Sequence, residues 1–188
     1  MAESAPMPIR ATKRGEERTP IDGDHDVLIC GASFAGLVVA RELSGSGADV
    51  VIVDRYEIGE RQTSACGIPT EWLRQLGLMD CERQRFDTLT MHTPHGDARY
   101  RLPWTFSTFD YRRLCEILWR ECDARFEIAK VNGRGAAANG DGAIAIDTDR
   151  GTIRAPLVVD ALGWRRILGR GDGYQPPDAP LSRGLEVH

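Results

Sequence analysis

The strongest constraint in this chain is an apolar run, Val27-Leu28-Ile29-Cys30, that enters the turn Gly31-Ala32-Ser33-Phe34-Ala35-Gly36. A second apolar run, Val50 to Val53, follows and ends on Asp54. That order of strand, glycine turn, helix-compatible segment, strand and acid is what a dinucleotide-binding βαβ unit requires. Gly31 permits a tight strand-to-helix turn, and Gly36 lets the helix pack closely on the sheet. Amides at the helix start then face a pyrophosphate, where the helix dipole favours negative charge. Asp54 is placed to accept hydrogen bonds from a ribose. Ser33 stands at the middle glycine position, where it adds a small side chain and a hydroxyl that can donate to phosphate. The plainer alternative is a βαβ unit of the same shape that binds nothing.

The rest of the chain extends this start into an α/β fold. Val27 to Cys30 reads as a strand and Phe34 to Leu43 as a helix with Leu37, Ala40 and Leu43 inward. Ser44-Gly45-Ser46-Gly47 stops that helix, and Val50 to Val53 is the next strand. Pro69 suits the first turn of a short helix, Glu71 to Leu76, ended by Gly77. Thr88 to His92 and Arg99 to Leu102 predict strands around Pro94-His95-Gly96. Asp110 caps a helix through Cys122 with Leu114, Ile117 and Leu118 at helical spacing. Phe126 to Val131 predicts a third strand, Gly140-Asp141-Gly142 a turn, Ala143 to Asp147 and Thr152 to Arg154 a hairpin, and Leu157 to Asp160 a further strand. The expected architecture is a Rossmann-like FAD/NAD(P)-binding parallel sheet with a β-meander in place of a third crossover helix, and incomplete. Residues 1–24 are expected to form a disordered N-terminal arm. Residues 25–170 would be the nucleotide-binding domain, with a small inserted substrate-side segment at about 86–107, and residues 171–188 a Pro-rich linker into a truncated further domain.

Composition removes several function classes. The 188 residues are 41% hydrophobic and 28% charged, as in an ordinary globular chain. A net charge of −4 offers no attraction to nucleic acid or to an anionic membrane. No run approaches the roughly 18 apolar residues of a membrane span. The acids Glu16 and Glu17 near the start count against a transit peptide. Five scattered cysteines without a C-x-x-C pair suit a reducing cytoplasm, and the histidines, including His92 and His95, show no metal-ligand pattern.

The segments Gly31-Ala32-Ser33-Phe34-Ala35-Gly36-Leu37, Val53-Asp54-Arg55 and Cys66-Gly67 together resemble the geranylgeranyl reductase family. That family lies within the FAD-dependent oxidoreductases similar to para-hydroxybenzoate hydroxylase, and the similarity runs from about residue 25 to the C-terminus. The resemblance implies that Gly31 to Gly36, Asp54 and Arg55 hold the ADP half of FAD. It implies that Cys66 and Gly67 lie beside the flavin ring, with Cys66 the candidate redox residue, although Ile68 replaces a family glycine. Arg112 or Arg113 would reach the flavin pyrophosphate, and Asp160 and Gly163 would belong to a second cofactor turn in which Leu162 replaces an aspartate. Trp104 and Phe106 resemble an aromatic lining for a lipid substrate. The implied chemistry is reduction of FAD by NAD(P)H or another donor, then hydride delivery to an isoprenoid-type double bond, or oxygen activation as in the hydroxylase relatives. A small-molecule or lipid substrate, no nucleic acid, and peripheral contact with a membrane are the corresponding partners.

A second Gly-Asp segment that covers the flavin chain in the family has no counterpart in this sequence. Two further readings therefore stand beside a flavin enzyme: a non-catalytic nucleotide-binding remnant, and an NAD-binding dehydrogenase in which Asp54 reads the ribose. The meander and the Cys66-Gly67 segment favour flavin over the latter. No acid–base pair or nucleophilic triad is visible, as expected where a cofactor carries the chemistry.

Overall fold

Alternation of side chains along two neighbouring parallel strands produces a three-layer fold. The computed structural model describes residues 19–62, 66–136, 142–163 and 167–169. Strands β2 (Val27–Cys30) and β3 (Val50–Asp54) lie side by side in a four-stranded parallel sheet. Val27, Ile29, Val50 and Ile52 point to one face, against helix α1 (Phe34–Leu43) and helix α3 (Tyr111–Arg120). Leu28, Cys30, Val51 and Val53 point to the other, against Val131, Ile146 and Ile153. Burial on both faces explains why these strands read as unbroken apolar runs rather than alternating ones.

The second face is covered by a meander. Strands β8 (Val131–Arg134), β9 (Ile144–Thr148) and β10 (Gly151–Ala155) pair antiparallel. The chain then returns to the parallel sheet as β11 (Leu157–Asp160), which pairs with β2, while β7 (Arg125–Ile128) pairs with the far side of β3, giving the order β11-β2-β3-β7. A third sheet stands apart, with β4 (Gly67–Pro69) and β5 (Glu82–Thr93) on either side of β6 (Gly96–Phe109). Among the described residues no helix is long and apolar enough to cross a membrane.

Several expectations change in detail. The predicted strand Phe126 to Val131 is two strands, because at Ala129 the chain leaves the parallel sheet, where its amide donates to the Asp54 carbonyl at 2.8 Å. Lys130 then turns on the Asp149 side chain. The hairpin is longer than Thr88–His92 and Arg99–Leu102, with strands Glu82–Thr93 and Gly96–Phe109. Its base runs through Glu82, Arg83, Gln84 and Arg85, whose polar side chains give no alternating signal, yet backbone pairing continues there. The short helix, α2, is Thr70–Gln75, and Pro69 ends a strand instead of opening the helix. Helix α3 ends at Arg120, not Cys122. The expected arm over 1–24 is fixed in its last residues. Strand β1 (Gly23–Asp24) pairs parallel with β10, and Arg154 grips Asp24 at 2.6 Å. Residues 1–18, the predicted turn at 140–141 and the predicted linker 171–188 lie outside the described residues.

Behind the third sheet lies a buried polar chain. Thr70 and Ser107, 1% and 0% exposed, have their hydroxyls 2.7 Å apart, and Ser107 donates to Glu82 at 2.6 Å. Arg85 donates to both oxygens of Glu82, at 2.9 and 2.7 Å. Hydrogen bonds from Arg85 and then Ser107 hold the Glu82 carboxyl at about 2, below its ordinary 4.5. A carboxylate depressed on folding adds stability that is complete above the unfolded value and is lost as pH falls through the folded one. The pH dependence of unfolding, compared between wild type and Glu82→Gln, should show a stability gap that is constant above about 4.5 and closes toward about 2. The glycine turn carries a second expectation. A Cβ added at Gly36 would lie 1.9 Å from the Gly31 carbonyl oxygen. Gly36→Ala should therefore cost on the order of 2–3 kcal/mol in denaturant unfolding, since α1 must move off the sheet.

Candidate functional site

The site begins where β2 ends. Gly31 has φ +110°, a conformation that side chains disfavour, and a Cβ there would meet the Ala161 carbonyl oxygen at 2.4 Å. The turn is closed by the Gly31 amide donating to the Val53 carbonyl at 2.8 Å and by the Ala161 amide donating to the Cys30 carbonyl at 2.8 Å. Ser33 occupies the N-cap of α1 in extended conformation, and its hydroxyl makes no capping bond. The first amides of α1, at Phe34, Ala35 and Gly36, have no carbonyl within the helix to bond, which is what an anion at a helix start exploits.

Asp54 ends β3 beside this turn. One of its carboxylate oxygens accepts from the Ala32 amide at 2.8 Å and the other from the Tyr56 amide at 3.0 Å. The acid thus fixes the turn as well as facing it, a second role that spacing alone does not disclose. Each oxygen keeps accepting capacity for a ribose hydroxyl. Arg55 lies exposed over the Tyr56 ring, 4.9 Å from its centroid, and Arg61 lies over the same ring at 5.2 Å. These contacts are cation–π pairs at the rim of the turn.

An open cleft of about 1010 Å³ lies where the loop after β3 meets the third sheet and α3. Gly59 and Gln62 from the loop after β3, Cys66 before β4, Arg83 and Gln84 of β5, and Arg112 of α3 all line it. The cleft and the turn share one core, in which Ala32, Ile58, Cys66 and Tyr111 are packed. The carboxylate of Asp110 caps α3 by accepting the Arg113 amide at 2.9 Å and pairs with Arg83. Those two donors hold its carboxyl below the usual range. Burial pushes the neighbouring Cys115 thiol up to about 12 and Cys81 up to about 11, so both stay protonated at neutral pH.

The structure joins Gly31 to Gly36 directly to Asp54, with Arg55 following that acid and Asp160 ending the strand beside β2, while Cys66 and Arg112 line the cleft. Gly67 sits under the Phe106 ring, where a Cβ would be 2.8 Å from the ring edge. Phe106 packs on Phe86 with centroids 5.7 Å apart, Trp104 is 57% exposed, and neither lines the cleft. Asp160 turns the chain after β11 by accepting the Leu162 and Leu168 amides, and Gly163 takes φ +87° beyond it. Sequence reading missed Gly59, Gln62, Arg83 and Gln84. They belong to no motif, and only the meeting of the third sheet with α3 gathers them.

Comparison with known proteins agrees with this geometry. The family model described as lycopene cyclase protein matches residues 26–187. Among curated relatives, digeranylgeranylglycerophospholipid reductase 1 of Methanosphaera stadtmanae is 35% identical over 77 residues, covering 39% of this chain and 19% of the relative. The FAD-dependent monooxygenase cle3 of Aspergillus versicolor is 31% identical over 158 residues, covering 73% and 32%. A geranylgeranyl bacteriochlorophyll reductase-like protein from Thermoplasma acidophilum shares the fold with TM-score 0.62 at 16% identity, over 77% of this chain and 40% of that one. PqsL of Pseudomonas aeruginosa, a probable FAD-dependent monooxygenase, shares it with TM-score 0.60 at 18% identity, over 82% and 48%. The chain spans less than half the length of each of these proteins. The described residues suit FAD at its adenosine end: a helix start reached through a glycine turn too closely packed for side chains at Gly31 and Gly36, and an acid at the end of β3 that bonds the turn. With its family match over most of its length, the chain belongs to the lycopene cyclase protein family.

Proposed function

We propose that this chain binds FAD and serves a flavin-dependent reduction of an isoprenoid-type double bond. The observation that carries the reading is the glycine turn at the start of α1 held by the Asp54 carboxylate, with Ala32 of that turn in the same packed core as Cys66 of the cleft. On this reading the α1 amides and the Ser33 hydroxyl hold the pyrophosphate, and Asp54 holds the adenosine ribose. Arg112 supplies positive charge to the phosphates, and Arg55 contributes charge at the adenosine rim. Cys66 and Gly67 border the flavin ring, while Asp160 and Gly163 shape the turn that supports Gly31 from behind. Flavin, when bound, supplies the hydride chemistry; the chain's own residues bind, orient and exclude water.

Three relatives carry the name digeranylgeranylglycerophospholipid reductase, which supports a lipid alkene as substrate class. Trp104, Tyr100, Leu89 and Met91 are each between 44% and 57% exposed on the third sheet, apolar surface that suits a lipid substrate and peripheral contact with a membrane. A reduced nicotinamide is the proposed donor and the cytoplasm the proposed compartment, in keeping with five cysteines outside any disulfide. Residues 25–170 form the FAD-binding domain on this reading. The monooxygenase name of the relative that covers most of this chain supports a second chemistry, oxygen activation by the same flavin.

Titration of the purified chain with FAD, followed by the visible flavin spectrum, tests the reading. Saturable uptake is expected, and Asp54→Ala should weaken it by about tenfold or more, the loss of hydrogen bonds to a charged group. Absence of uptake by the wild type, with NAD instead protecting it from unfolding, would overturn the FAD assignment. Anaerobic reoxidation of the reduced flavin by an isoprenoid alkene separates the reductase from the oxygenase chemistry.

A further inference from the structure

Beside three segments that line the cleft runs the polar chain Thr70–Ser107–Glu82. Ser107 commits its hydrogen to Glu82, so Thr70 is the donor to Ser107, and the chain runs in one direction to the carboxylate. Each member adjoins a different wall of the cleft. Thr70 follows the strand that begins after Cys66; Ser107 precedes Thr108, a cleft residue; and Glu82 precedes Arg83 and Gln84. Consecutive residues of a regular strand face opposite sides, yet Arg83 and Gln84 both line the cleft. A bulge makes this possible: Glu82 pairs with Phe109 and Gln84 with Thr108, leaving Arg83 as the extra residue. Hydrogen bonds are directional where apolar packing is not, so a buried chain at this point fixes the offset of β5 and β4 against β6. A slip of one residue would reverse the faces of the β5 residues against β6.

We propose that the Thr70, Ser107 and Glu82 side chains are positioning residues of the cleft, locking the Cys66 wall and the bulge that aims Arg83 in one register. The ligand so enclosed is the FAD of the reading above, and on that point alone the proposal rests on it. The test uses the full chain as wild type, as Thr70→Val, which removes the hydroxyl at nearly constant shape, and as Thr70→Ser, which keeps it. Iodoacetamide labelling mapped by mass spectrometry, without FAD, reads the wall directly. Cys66 is expected to react about fivefold faster in Thr70→Val, relative to Cys30 and Cys115 in the same molecule, and within about twofold of wild type in Thr70→Ser. Cys30 and Cys115 are 0% exposed and report global opening. Equal acceleration of all three thiols, an unchanged Cys66 ratio, or Thr70→Ser behaving as Thr70→Val would each overturn the proposal. FAD titration of the same variants should show weakening of about fivefold in Thr70→Val only. If the wild type takes up no FAD, the cofactor reading falls while the thiol ratio still decides this proposal.

Discussion

Close backbone contact at the end of β2 is the constraint on which the rest of this structure depends. Gly31 touches the Ala161 carbonyl at the end of β11, and Gly36 in the first turn of α1 touches the Gly31 carbonyl. No side chain fits at either place, so strand, helix and returning strand meet at van der Waals distance. That meeting leaves the start of α1 open to an anion and brings Asp54 close enough to bond the Ala32 amide. The contacts that pack the fold also shape the open start of α1. An inserted methyl would therefore disturb both together.

Two-sided burial of the parallel sheet follows from that start. Helices α1 and α3 cover one face and the meander the other, so β2 and β3 have no polar alternate positions to spend on solvent. Replacing a crossover helix by a meander brings the chain back beside β2 as β11, and so delivers the Ala161 carbonyl to Gly31. Residues 19–24 add a strand to the meander's edge, which covers groups that would otherwise be an open template for pairing.

The third sheet contributes differently. Its base, near Glu82 and Ser107, is polar, hydrogen-bonded and close to the cleft, while its far end exposes Leu89, Met91 and Tyr100. Register pairs Leu89 with Tyr100 and Met91 with Ala98, so these residues share one face of the hairpin. The opposite face carries Thr88, Thr90, His92 and Arg99, with His92 bound to Asp97 at 2.7 Å. One hairpin thus joins a cleft wall to an apolar surface.

Local physics made much of this legible in the sequence. The apolar runs Val27–Cys30 and Val50–Val53, helix α1 with its glycine stop, the Asp110 cap and the hairpin of β9 and β10 are all set by burial, capping and turn chemistry within a few residues. Those interactions need no partner from far along the chain. Long-range pairing decided the rest: that β5 and β6 run on through charged residues, that Phe126 to Val131 divides between two sheets, and that Gly23 and Asp24 are held by β10. At the site, sequence determined the glycine turn and its acid, because backbone conformation and charge at that turn are local requirements. Only the tertiary structure decided that Asp54 also ties the turn, that Arg83 and Gln84 join Cys66 and Arg112 at one cleft, and that Trp104 stays outside it. Strand register and the bulge at Arg83 set the places of Arg83 and Gln84, and both depend on pairing between residues that the sequence keeps apart.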